Sequence, residues 1–121
     1  MFDHLGVGVS DLEISKSFFL QCLAPLDVKI LATADRAVGL GRNVFPEFWL
    51  DAKYKSLPQH IAFSASTRKQ VDDFYRLAIA AGGIDNGKPG ERPYGFPKRP
   101  LYYAAFIIGP DNHNIEMVFR G

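Results

Sequence analysis

The chain has 121 residues, a mass of 13.5 kDa, 47% hydrophobic and 22% charged residues, the size and balance of one soluble globular domain. Its net charge of +1 gives no electrostatic footprint for nucleic acid and no polybasic anchor for a membrane. No apolar run approaches the roughly 18 residues of a membrane-crossing helix, the start Met1-Phe2-Asp3-His4 lacks the regions of a secretory signal, and the single cysteine, Cys22, has no partner for an internal disulfide, so a reducing, cytoplasmic setting is expected.

Leu5-Gly6-Val7-Gly8-Val9 alternates as a strand does, with Leu5, Val7 and Val9 on one face and His4, Gly6 and Gly8 on the other. Ser10-Asp11 supplies a helix N-cap, with Glu13 in the first turn, where the helix dipole favours a carboxylate. Leu12, Ile14, Phe18, Phe19 and Leu23 then recur at mostly helical spacing up to Pro25. Short strands are expected at Val28–Ala32, Ala37–Leu40 and Glu47–Leu50, with Gly41-Arg42-Asn43 as the turn before the last. A second series begins at Gln59. His60–Ala65 reads as a strand, Ser66 or Thr67 as a cap, and Val71, Phe74, Tyr75, Leu77, Ala78 and Ala81 as the apolar positions of a helix ended by Gly82-Gly83. Asp85 to Pro100 is rich in Gly, Pro and charge and is expected to be mostly loop. Leu101–Ile108 is an apolar strand, Pro110–Asn114 a turn, and Ile115–Phe119 the closing strand.

The two series are one pattern written twice. At an offset of 56, His4 falls on His60, Leu5 on Ile61, Ser10 on Ser66, Phe18 on Phe74 and Phe19 on Tyr75. The halves also end alike, Glu47-Phe48-Trp49-Leu50 matching Glu116-Met117-Val118-Phe119 if the second half carries a longer loop. The pattern predicts strand–helix–strand–strand–strand in each half, with modules at about 1–51 and 59–121 of a single domain.

These residues carry a resemblance. Asp3–Leu12 with Ser17-Phe18-Phe19, then Gln59–Phe63, then Phe106–Glu116, resemble the vicinal oxygen chelate superfamily, which includes glyoxalase I, extradiol dioxygenases, and bleomycin and fosfomycin resistance proteins. In the closing motif Gly109 stands where the family usually has Asp, and Asn112-His113 departs from its Asp-Gly. The resemblance implies an α+β fold of two tandem βαβββ modules, forming a curled mixed sheet around a central cleft. It also implies metal ligands on the first and last strands of each module: His4, His60 and Glu116, with Glu47 as a fourth.

The chemistry of those residues agrees. Two imidazoles with one or two carboxylates suit Ni, Zn, Fe, Mn or Co as the divalent ion. A His at a strand end is more often a satisfied or partly exposed residue than a ligand; the repeat is what raises the set above that default. Without Glu47, two His and one carboxylate with open positions remain, the arrangement of non-haem iron oxygenases. Glu116, and after it Glu47, is the expected catalytic base. Trp49, Tyr103 and Arg92 are expected to contact substrate: Trp49 shares a strand face with Glu47, alternation sends Tyr102 and Tyr103 to opposite faces so that one packs and the other can turn its hydroxyl to the cleft, and Arg92 lies among the charges of the Pro/Gly-rich loop. His113, between Asn112 and Asn114, reads as an ordinary surface residue, and Cys22 as a small buried hydrophobe.

Two functions follow from the resemblance. One is a metal-dependent isomerase, lyase or dioxygenase of the glyoxalase type, acting on a small molecule with vicinal oxygens. The other is a metal-free, drug-sequestering binding protein. Nucleic acid and membrane are not expected partners; a small-molecule substrate and a second copy in a homodimer are.

Overall fold

The computed structural model describes residues 1–121. Each half folds as strand–helix–strand–strand–strand. The first contains β1 (Leu5–Gly8), α1 (Leu12–Cys22), β2 (Lys29–Ala34), β3 (Ala37–Gly41) and β4 (Phe48–Asp51). The second contains β5 (His60–Ala65), α2 (Arg68–Ala80), β6 (Ile84–Glu91), β7 (Tyr103–Ile108) and β8 (Asn114–Phe119). The two mixed four-stranded sheets have the same order, β1-β4-β3-β2 and β5-β8-β7-β6, with the first strand of each module parallel to its last. The α+β class and the paired modules are as the sequence predicts. No helix is long and apolar enough to cross a membrane.

The offset of 56 is obeyed down to single hydrogen bonds. Asp11 caps α1 by accepting from the Ile14 N–H, and Thr67 caps α2 by accepting from the Gln70 N–H. The buried stripe of α1, Ser15, Phe18, Phe19 and Cys22, returns in α2 as Val71, Phe74 and Ala78, the one-face spacing of an amphipathic helix. The helices pack on each other, α1 against β3 and β4 and α2 against β6, β7 and β8. Twenty buried residues from both halves form one core. Through it runs an edge-to-face chain of rings, Phe18–Phe19–Phe48–Phe63, with centroids 5.5, 5.1 and 5.3 Å apart. Phe63 lies on β5, so this chain ties the modules together.

Two expectations are corrected. The region from Asp85, read as loop, contains most of β6. That strand tolerates Gly87, Pro89 and Gly90 because it is an edge strand, with a register that breaks twice along β7. The second correction is register. Trp49 pairs with Gly39 in the first sheet as Glu116 pairs with Phe106 in the second, and Phe48 with Leu5 as Ile115 with Ile61. The last strands therefore match at an offset of 67. Trp49, not Glu47, is the counterpart of Glu116, and Glu47 corresponds to Asn114. The offset is still 55 on the second strands, where Ile30 opposes Leu40 as Asp85 opposes Ile107. The β6–β7 hairpin is thus twelve residues longer than its counterpart.

Candidate functional site

Period-two alternation decides what stands on the face of each sheet away from the helices. In the second module that face carries His60, Phe106 and Glu116 of β5, β7 and β8, and beside them Tyr102. Glu116 is 2% exposed. One of its oxygens accepts a hydrogen bond from the Tyr102 hydroxyl, and the other lies 3.2 Å from His60 Nε2. Burial, and next the bond to Glu116, push Tyr102 up to about 12. The His60 ring stacks on Phe106, centroids 6.4 Å apart.

The tautomer of His60 follows from its partners. Nδ1 is 3.2 Å from the Asn114 carbonyl, which only accepts, so Nδ1 carries a proton. In the neutral ring Nε2 then presents a lone pair to the Glu116 carboxylate, which is itself acceptor-only when ionised. Two lone-pair groups at 3.2 Å call for a cation between them, either a proton or a metal. His4 is prepared in the same way: its Nδ1 is 2.6 Å from the Asp3 carboxylate, leaving Nε2 free. An oxygen partner on the far nitrogen is how ligating histidines are usually oriented.

His4 does not reach the other pair. It stands with Glu47 and Trp49 in an open cavity of about 800 Å³ on the first module. One contact between the modules lies at the opposite end of β1, where His113 Nε2 donates to the Gly8 carbonyl. Four residues of strand, about 13 Å at 3.3 Å per residue, separate His4 from that contact. Within one chain the expected ligands therefore fall into two separate pairs, His4 with Glu47 and His60 with Glu116. No three ligating side chains converge within it.

Trp49 does line the His4 cavity and packs against Gly39: a Cβ on Gly39 would come within 2.9 Å of the indole. Tyr103 is placed elsewhere. Its hydroxyl donates to Asp72 on α2 at 2.7 Å, because position 103 has the parity of the helix-facing side. Tyr102 is the tyrosine that points to Glu116. Arg92 lies 5.6 Å from the Phe106 ring centroid, but its Nη2 donates to the Lys88 carbonyl at 2.6 Å, so it braces the long hairpin. His113 is fully buried rather than at the surface. Nδ1 accepts from the Gln59 N–H at 3.0 Å, and Nε2 donates to Gly8 at 3.2 Å. Beside it, Asp111 binds the Ser10 N–H and hydroxyl. Burial works to raise the Asp111 pKa, but these bonds outweigh it and leave the carboxyl below its ordinary value. The sequence hid this latch because its residues sit among the polar turn residues that usually mark solvent.

No protein-family model matches the chain, and no curated protein matches it. Solved structures do. A glyoxalase/bleomycin resistance protein from Albidiferax ferrireducens is 26% identical, with a TM-score of 0.82 over 100% of this chain and 99% of that one. The fold is that of the vicinal oxygen chelate superfamily. Further likenesses are of fold: a glyoxalase/bleomycin resistance protein/dioxygenase family enzyme from Burkholderia phytofirmans (16% identity, TM-score 0.76, 99% and 98% coverage) and a glyoxylase/bleomycin resistance protein/dioxygenase domain from Frankia (19%, 0.70, 98% and 96%). Of the four expected ligands, His4 matches His60 between the modules, whereas Glu47 does not match Glu116, whose register counterpart is Trp49.

Proposed function

We propose that the protein is a divalent-metal-dependent enzyme of the glyoxalase/dioxygenase type, working as a homodimer on a small substrate with vicinal oxygens. His60 and Glu116 of one copy, with His4 of the second, would hold the ion. The observation that carries this reading is the 3.2 Å approach of His60 Nε2 to the buried Glu116 carboxylate. The surroundings of His4 support the second copy: Phe2 and Phe45, lining the same cavity, are 81% and 79% exposed, an apolar rim of the kind partners cover. When bound, a divalent ion supplies polarisation of the substrate oxygens and stabilisation of an oxyanion. The chain's own groups do the rest. Glu116 accepts a proton from substrate, Tyr102 holds one of its oxygens, and the Asn114 carbonyl keeps the His60 ring turned towards it.

Protein purified without added metal, then titrated with Ni(II), Zn(II), Mn(II) and Fe(II), is expected to bind about one ion per chain, with Glu116→Gln, His60→Ala and His4→Ala each abolishing that binding. Turnover of the methylglyoxal–glutathione adduct or of catechols would then separate isomerase from dioxygenase. No binding by the wild type at millimolar metal overturns the reading. The metal-free binding protein would take its place, a reading favoured by Trp49, which has no metal-binding group, as the register counterpart of Glu116 and by the absence of three converging donors in one chain.

A further inference from the structure

The shared core is incomplete at one place. Leu5 has the parity of Val7, on the helix-facing side of β1, yet it is 44% exposed, whereas its counterpart in the second module, Ile61, is buried at 5%. Beside Leu5 lies a cavity of about 220 Å³ between the modules. Leu5, Leu26, Leu40 and Phe48 wall it from the first module, and Ile61 and Phe63 from the second. The strand residues among them have the opposite parity to His4, Trp49 and His60, so the cavity lies across the sheets from the candidate site. An apolar cavity of about 150 Å³ already holds a benzene ring, so an aryl or branched alkyl group fits here. Two charged residues, Arg42 and Glu47, also line it. Both are exposed, and neither belongs to an ion pair, with the other or with any further residue. Arg42 follows β3 and Glu47 precedes β4, so both stand at the same end of that hairpin. The backbone of Glu47 is held on both sides: its N–H donates to the Leu40 carbonyl, and its carbonyl accepts from the Leu5 N–H, each at 2.9 Å.

We infer that this cavity binds a free amino acid with an apolar side chain. The side chain enters among Leu5, Leu40, Phe48 and Phe63, the carboxylate meets the Arg42 guanidinium, and the ammonium meets Glu47. A guanidinium edge matches the two oxygens of a planar carboxylate. An apolar pocket with a few polar groups that fix orientation is the usual form of a small-molecule site. A head carrying one charge satisfies only one of the two residues: a bare acid faces the like charge of Glu47, and a bare amine that of Arg42. Both modules supply walls, so an occupant holds them together. The inference goes beyond the metal reading and does not depend on it.

Three probes with one aryl tail test it by calorimetry: L-phenylalanine with a zwitterionic head, 3-phenylpropanoate with an anionic one, and 2-phenylethylamine with a cationic one. Wild type is expected to bind L-phenylalanine about 10- to 100-fold more tightly than either of the others, the worth of one hydrogen bond to a charged group. Arg42→Gln should bring the amino acid down to the level of the amine, and Glu47→Gln to the level of the acid. Val28→Phe, which enlarges a side chain of the lining, should abolish binding of all three. Equal affinity of wild type for the three probes, no binding of L-phenylalanine at millimolar concentration (the result if a second copy closes the mouth), unchanged affinity in Arg42→Gln and Glu47→Gln, or unchanged affinity in a folded Val28→Phe would each overturn the inference. Should Val28→Phe fail to fold, the two substitutions of exposed side chains decide alone. An amino acid can also chelate a metal ion, so the titration is repeated in Glu116→Gln, which lacks a proposed ligand of the ion. Unchanged affinity there supports the cavity whatever becomes of the metal reading; lost affinity places the amino acid on the ion and overturns the inference.

Discussion

The two modules are copies to within a hydrogen bond through their first strand and helix, yet their outer sheet faces have become opposites. The first is spare. His4, Glu47 and Trp49 line an open cavity of about 800 Å³ with Phe2 and Phe45 as an exposed apolar rim. The second is filled. Phe106, Glu116 and Tyr102 cover it, and the hairpin longer by twelve residues brings Tyr94 and Phe96 over the same side. One duplicated scaffold thus yields a receiving surface and a charged, furnished one. The divergence lies in loop length and in residues of one parity along the strands, whereas the helix-facing parity stays apolar in both because the shared core demands it.

The sharpest way to break this comparison is in the core, where the copies should behave alike. Phe18→Ala and Phe74→Ala, equivalent and both buried, should each cost about 3–5 kcal/mol in urea unfolding. The next pair, Phe19 and Tyr75, should part company. Phe19 is fully buried and Tyr75 only partly so, so Phe19→Ala should cost that much and Tyr75→Ala clearly less. Equal losses for the second pair would mean that the modules are more alike than their packing shows.

A smaller effect is expected at the latch, which exists once. The counterpart of His113 in the first module is Pro46, which has no side-chain hydrogen bond to offer. His113→Ala leaves the Gln59 N–H and the Gly8 carbonyl without their ring partner, at about 1–3 kcal/mol for a buried group left unsatisfied. Hydrogen exchange should quicken first where β1 meets β8, while the centre of α2 keeps its protection. Uniform quickening through both modules would contradict a local latch.

The smallest effect is in pH. Tyr102 is raised to about 12 in the folded protein, against an ordinary value near 10. Its contribution to stability is therefore complete below about pH 10 and is lost as pH rises towards 12. Absorbance of tyrosinate should show this tyrosine among the last to ionise, and in Glu116→Gln it should ionise earlier. An unchanged titration in that variant would detach Tyr102 from Glu116.

How much of this was legible in the sequence depended on which periodicity carried the signal. The caps Asp11 and Thr67 and the helix stripes repeat at one offset with no insertion between them, so the first strand and helix of each module could be read directly. Beyond the helices the offset changes from 55 to 67, inside a hairpin whose Gly and Pro residues concealed an edge strand. The glutamates at 47 and 116 then looked equivalent because both open an apolar run. Only the ladder, with Trp49 opposite Gly39 and Glu116 opposite Phe106, shows that they are not. The choice between Tyr102 and Tyr103 was a matter of parity: counting back in twos along β7 from Phe106, which opposes Glu116, reaches Tyr102. Neither the buried setting of His113 nor the cavity beside Leu5 leaves a trace in spacing, since both depend on contacts between distant segments.

The central claim, that a working site takes His4 from one copy and His60 with Glu116 from another, is tested most directly by mixing two variants that bind no metal. His4→Ala and Glu116→Gln homodimers are unfolded together, refolded, and assayed for bound metal. In the mixed dimer one site has lost both groups and the other is intact. Random pairing should therefore restore about one ion per four chains. No recovery, in a mixture shown by mass to contain the mixed dimer, would contradict a site shared between copies.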